Sequence, residues 1–165
     1  MTTNNEPDLG VQRTGSGEIC ASILQQLPQW FGIPEANADY AVAADAHPTV
    51  VARIEGRPIG LLTLVQHSDQ AAEVHLMAVL PERHRQGLGA TMLCFAEQHL
   101  VEQGITFLQV KTLAEEHPDP GYAKTRAFYR AVGFVTLEVF PELWDSENPA
   151  LQLIKYIGSE TAPQG

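Results

Sequence analysis

Apolar residues recur three and four apart at Ile19, Ile23, Leu24 and Leu27 within "GSGEICASILQQLPQWFG". That is the period of one helix face. Ser16 or Gly17 is the candidate cap, and Pro28 and Gly32 end the run. "PEANADYAVAAD" predicts a second, short helix, with Pro34 at a first helical position and Glu35 in the first turn. The pattern then changes. Val50, Val51, Ile54, Ile59, Leu61, Leu62 and Leu64 are strand formers around a Glu55-Gly56-Arg57 turn, which predicts a hairpin. "AAEVHLMAVL" is a third strand.

The helical period returns at Leu88, Met92, Leu93, Phe95, Ala96 and Leu100, with Gly104 as the stop. "ITFLQVKTL" follows as a strand, "EEHPDPG" as a loop and "YAKTRAFYRAVG" as a helix ended by Gly133. "FVTLEVF" and "ALQLIKYI" are the last strands, with Trp144 in the loop between them. Residues 2–8 and 158–165 read as loose ends. The order is neither a regular βαβ alternation nor a sandwich, and it predicts one mixed α/β sheet.

A chain of 165 residues suits one domain, and its 44% hydrophobic and 18% charged content is that of an ordinary globular protein. The formal net charge of -10 changes the picture more. A phosphate backbone or an anionic membrane selects for excess Lys and Arg, so neither nucleic acid nor a membrane surface is expected as a partner. The polar start lacks an apolar leader and no run is long enough to span a bilayer, so the expected location is cytoplasmic. Cys20 and Cys94 have no framework or metal spacing and read as reduced, buried thiols. The six histidines are scattered, and no metal site is expected.

"VLPERHRQGLGATML" stands apart. It leaves a strand, crosses Arg83, His84 and Arg85, meets Gly87 and Gly89, and enters a helix. A first helical turn carries unpaired N–H groups and the positive end of the dipole, and glycine lets an anion approach closely. The plainer reading is a helix start with packing glycines and solvated bases. A P-loop would end in Gly-Lys-Ser/Thr, whereas this turn has Gly-Ala-Thr. A Rossmann turn would place a third glycine where Met92 stands.

With these residues in view, "AEVHLMAVLPERHRQGLGATML" resembles motif A of the GNAT superfamily of acyl-CoA-dependent N-acyltransferases, and "RAFYRAVGF" resembles the end of its motif B. The likeness covers roughly residues 48–157. His84 departs from the Gln or Arg usual at its place, and the Asn often found before the motif B helix is missing. The resemblance implies a single domain over 1–165, its core about 9–157, with a mostly antiparallel central sheet flanked by helices. It implies acetyl-CoA as acyl donor and an amine of a small molecule or peptide as acceptor, with a homodimer left open. The N–H groups of Arg85, Gln86, Gly87, Leu88, Gly89 and Ala90 would hold the pyrophosphate. Backbone atoms of Met77, Ala78 and Val79 would pair with the pantetheine arm, and the Met77 N–H would face the thioester oxygen.

The resemblance also implies Tyr129 as the proton donor to the leaving thiolate, against its plainer reading as an aromatic packed on the sheet. Glu73 is the candidate base, on one strand face with His75 and Met77. His75 is a rival base, and a carboxylate in solvent is the plainer reading of Glu73. Trp30, Phe31 and Trp144 would wall the acceptor pocket, with Asp39, Asp145 and Glu147 adding negative charge. The competing function is a non-catalytic acyl-CoA-binding or regulatory domain on the same fold.

Overall fold

In a computed structural model, residues 5–158 are described; of the loose ends expected at 2–8 and 158–165, residues 2–4 and 159–165 lie outside them, and Asp8 is found at the start of a strand. Chain order is β1 (Asp8–Gln12), α1 (Gly17–Gln25), α2 (Pro34–Ala46), β2 (Thr49–Ile54), β3 (Arg57–Gln66) and β4 (Ala71–Val79). A 3-10 turn (Pro81–Arg83) follows, then α3 (Leu88–Glu102), β5 (Phe107–Leu113), α4 (Pro120–Ala131), β6 (Val135–Asp145) and β7 (Asn148–Tyr156). The fold is mixed α/β, and its sheet has the order β1-β2-β3-β4-β5-β7-β6. Contacts divide the chain into two units, the first built from residues 1–65 and 74–98, the second from 66–73 and 99–165.

In the first unit, β2 and β3 form the expected hairpin. Glu55 (φ 51°) and Gly56 (φ 80°) both take positive φ, as a two-residue hairpin turn of this hand requires. β1 adds to β2 in antiparallel register from Asp8↔Arg53 to Gln12↔Thr49. This strand was not foreseen: it is short and half-exposed, with only Leu9 and Val11 as large apolar residues. α2 is thirteen residues long, not short. Its end fixes the start of α1, because the Gly17 N–H donates to Asp45 Oδ1 at 2.7 Å. A Cβ at Gly17 would lie 2.5 Å from that carboxylate. Ser16 donates to Gln12 and makes no side-chain cap bond. Cys20, Ile23, Val50, Leu61, Leu62, Met92 and Leu93 are fully buried. Burying each large aliphatic contributes about 1.5–3 kcal/mol.

In the second unit, β7 lies antiparallel between β5 and β6. Asp119 caps α4 by accepting from the Gly121 N–H, and Pro120 sits in the first turn, where a missing N–H costs nothing. The buried Arg126 donates through Nη1 to the carbonyls of Leu113 (2.7 Å) and Ala114 (3.2 Å), tying α4 to the end of β5. β6 runs through Trp144, so that residue is on a strand and not in a loop. Pro141 broke the sequence pattern there, but an edge strand tolerates proline. Asp145 closes the β6–β7 turn by accepting from the N–H groups of Glu147 and Asn148. The side-chain amide of Asn148, above all, holds its carboxyl below the usual range.

One cysteine also departs from expectation. Cys20 is buried, but Cys94 is exposed on α3. Among the described residues, no helix is long and apolar enough to cross a membrane, and no His, Cys, Asp and Glu cluster could hold a metal.

Candidate active site

The turn before α3 is shaped by its backbone. Leu80 donates its N–H to the Ile59 carbonyl, which pins the exit of β4. Arg85 (φ 62°) and Gly87 (φ 78°) then both take positive φ. The first bond of α3 runs from the Thr91 N–H to the Gly87 carbonyl. Among the described residues, nothing accepts from the N–H groups of residues 85–90. Successive N–H groups around left-handed residues form an anion-binding concavity, and a helix start adds its dipole.

Two further observations fit an anion. The Arg83 Nε is buried without a partner among the described residues. A Cβ at Gly87 would meet nothing within 4 Å, so the space over the turn is open. Arg83, Gln86, Leu88 and Thr91 line a cleft there with Ile54 and Ile59. These donors suit a diphosphate group such as that of coenzyme A.

His84, at the position departing from the motif, has a definite place. Its Nε2 lies 2.7 Å from the Val79 carbonyl, and its ring meets Trp30 edge-on at 5.2 Å. Trp30 therefore touches the turn. Phe31 meets Tyr40 at 6.0 Å, and Tyr40 meets His75 at 5.5 Å.

Along β4, Val74, Leu76 and Ala78 are buried on one face, while Glu73, His75, Met77 and Val79 share the other. Glu73 is itself buried. Its Oε2 accepts from Lys111 Nζ at 2.6 Å, and its Oε1 lies 3.5 Å from His67 Nε2. No local signal marks Lys111, because its partner lies 38 residues away.

Tyr129 is 5% exposed, and its ring packs edge-on against Phe128 (5.2 Å) and Phe134 (5.4 Å). Burial pushes its phenol well above the ordinary value. Tyr122 is raised too, first by burial and then by Asp119.

The family model of the GNAT acetyltransferase domain matches residues 45–136, more than half of the chain. No curated protein sequence matches. A GNAT-family structure from Desulfovibrio desulfuricans is similar at TM-score 0.80 and 18% identity, covering 92% of this chain and 99% of that one. The ribosomal-protein-S18-alanine N-acetyltransferase from Escherichia coli gives 0.74 and 18%, covering 95% and 99%. A GNAT family acetyltransferase from Elizabethkingia anophelis with acetyl-CoA bound gives 0.71 and 14%, covering 93% and 99%. At these identities the structures speak for the fold, and the family model carries the assignment. The chain belongs to the GNAT acetyltransferase family.

Proposed function

We propose that the protein moves an acetyl group directly from acetyl-CoA to a primary amine of a small molecule or peptide. The observation that carries this reading is the run of N–H groups at Arg85, Gln86, Gly87, Leu88, Gly89 and Ala90 with no acceptor among the described residues, beside the Nε of Arg83, which has no partner among them. A diphosphate supplies what these donors lack. Bound acetyl-CoA would supply the acetyl group as an activated thioester.

The chain's own residues would do the rest. Backbone groups of Met77, Ala78 and Val79 orient the pantetheine arm, and the Met77 N–H stabilises charge developing on the thioester oxygen. Glu73 takes a proton from the incoming ammonium. Tyr129 gives one to the leaving sulfur; its raised pKa keeps the phenol protonated across the working range, as a donor must be. The acceptor is read as a cationic amine with an apolar body, because the chain carries a net charge of -10 and Phe31, Tyr40 and His75 line one aromatic row.

The second reading, a non-catalytic acyl-CoA-binding domain, draws on the depth of Tyr129 and the ion pair already made by Glu73. Two measurements separate them. Thermal shifts with acetyl-CoA, CoA, ATP and NAD should show stabilisation by the first two alone. Thiol release with an amine panel should then exceed the rate without amine. Binding without release from any amine supports the second reading, and no stabilisation by acetyl-CoA or CoA overturns both.

A further inference from the structure

We propose that His67 is the exit for the proton that Glu73 collects, with Lys111 holding the carboxylate in place for that task. The inference rests on the reading of Glu73 as the base.

The need for an exit follows from the balance of the reaction. An ammonium acceptor loses two N–H protons in becoming an amide. The C–N bond forms, the C–S bond breaks, and sulfur takes up one proton. One proton per turnover must therefore reach water, and a carboxyl that accepted it must release it before the next cycle.

Glu73 is poorly placed to do this alone, since its side chain is only 10% exposed. Its Oε2 is held by Lys111 Nζ at 2.6 Å, and an ammonium has no lone pair with which to accept a proton. Lys111 is itself directed toward Glu73. Gln152, its cross-strand neighbour on β7, is engaged with Gln109. The other oxygen, Oε1, faces His67 Nε2 at 3.5 Å, a small side-chain rotation from a hydrogen bond. His67 is 43% exposed, and its backbone N–H is tied to the Ala71 carbonyl at the turn between β3 and β4. An imidazole can accept on one nitrogen and release from the other, so a proton arriving from Oε1 leaves to water at the outer edge of the ring. Glu73 meets Lys111 from β5 and His67 from the turn; His75, two residues along the same strand face, packs against Tyr40.

The test is His67→Asn, assayed in weak buffer at saturating acetyl-CoA with the fastest of spermidine, glucosamine and an alanyl peptide. kcat should fall by roughly three- to tenfold, less than the roughly 10²–10⁴-fold of a group that transfers a proton in the transition state, because water still offers a slower exit, with KM for acetyl-CoA unchanged. Added imidazole should restore the rate of the variant and leave the parent unaffected. His67→Gln should behave alike, which keeps the test open if the first variant folds poorly. Lys111→Met should lower kcat and move the acid limb of the pH profile upward, with recovery in Lys111→Arg. A parental rate for His67→Asn in weak buffer overturns the proposal, as does a loss that imidazole does not restore. Glu73→Gln distinguishes the two levels. If it keeps the parental rate, the base reading itself falls; if it is slow while His67→Asn is not, only the exit falls.

Discussion

The turn over residues 84–90 and the cluster around Glu73 are built on opposite plans. The turn presents backbone donors with no acceptor among the described residues, and beside it the buried Arg83 Nε has no partner among them either. The cluster is a carboxylate whose two oxygens already face a lysine and a histidine. Buried unmatched polar groups such as Arg83 Nε cost free energy, and the N–H groups of a helix start are left to water or to a ligand. Matched ones fix an orientation and a protonation state. On the proposed reading, the turn serves binding and the cluster serves proton handling.

Gly87→Glu should break that contrast most severely. It places a carboxylate where the diphosphate is proposed, and acetyl-CoA affinity should fall by at least about a hundredfold, as for a like charge set against an anion. Gly87→Ala sharpens the point. The space is open, so only the positive φ is strained, at about 1–2 kcal/mol, and affinity should fall little. Isothermal titration of the folded variants decides between loss of the anion site and loss of the fold.

Tyr129→Phe keeps the ring between Phe128 and Phe134 and removes only the hydroxyl. kcat should fall roughly ten- to a thousandfold, overlapping the lower part of the roughly 10²–10⁴-fold contributed by general acid–base groups, with acetyl-CoA binding little changed. Single-turnover rates equal to the parent would remove Tyr129 from the chemistry.

Arg126→Met tests whether the unit that carries Tyr129 depends on its buried guanidinium. Two carbonyls, of Leu113 and Ala114, would lose their donor, at about 1–3 kcal/mol for each group left buried without one. A lowered Tm is expected, with the acetyl-CoA affinity of the folded fraction retained.

The smallest effect is in alkali. Burial first, then the charge of Asp45, pushes the Cys20 thiol from 9.0 up to about 11. A pKa raised in the fold stabilises the protein fully below the unfolded value, and that contribution is lost as pH rises through the folded one. Stability should therefore decline between about pH 9 and 11. Cys20→Ala should flatten that slope, whatever its effect at neutral pH; denaturant melts across the window would show it.

The two regions also differed in how far the sequence revealed them. The turn is local: a strand end, three bases and two glycines within a few residues carry its chemistry, and the motif likeness followed from them. The mixed α/β order was legible from the apolar periods for the same reason. What escaped was set at a distance. α2 looked short because its alanines and aspartates show no clear face, yet its last turn carries the Asp45 carboxylate that caps α1. β1 has too few apolar residues to announce itself and exists by pairing with β2. Pro141 hid the length of β6, because the sequence does not say which strand is an edge. Lys111 and His67 gained meaning only when the fold brought them to Glu73, and the contact of Trp30 with His84 likewise joins residues far apart in the chain.

The central claim is that the N–H groups of residues 85–90 hold the diphosphate of acetyl-CoA. Amide-resolved NMR of the labelled protein, titrated with CoA, tests it most directly. Saturable downfield shifts largest at Arg85, Gln86, Gly87, Leu88, Gly89 and Ala90 are the expected result. Binding that leaves those six amides in place while shifting others, or no binding at all, would contradict it.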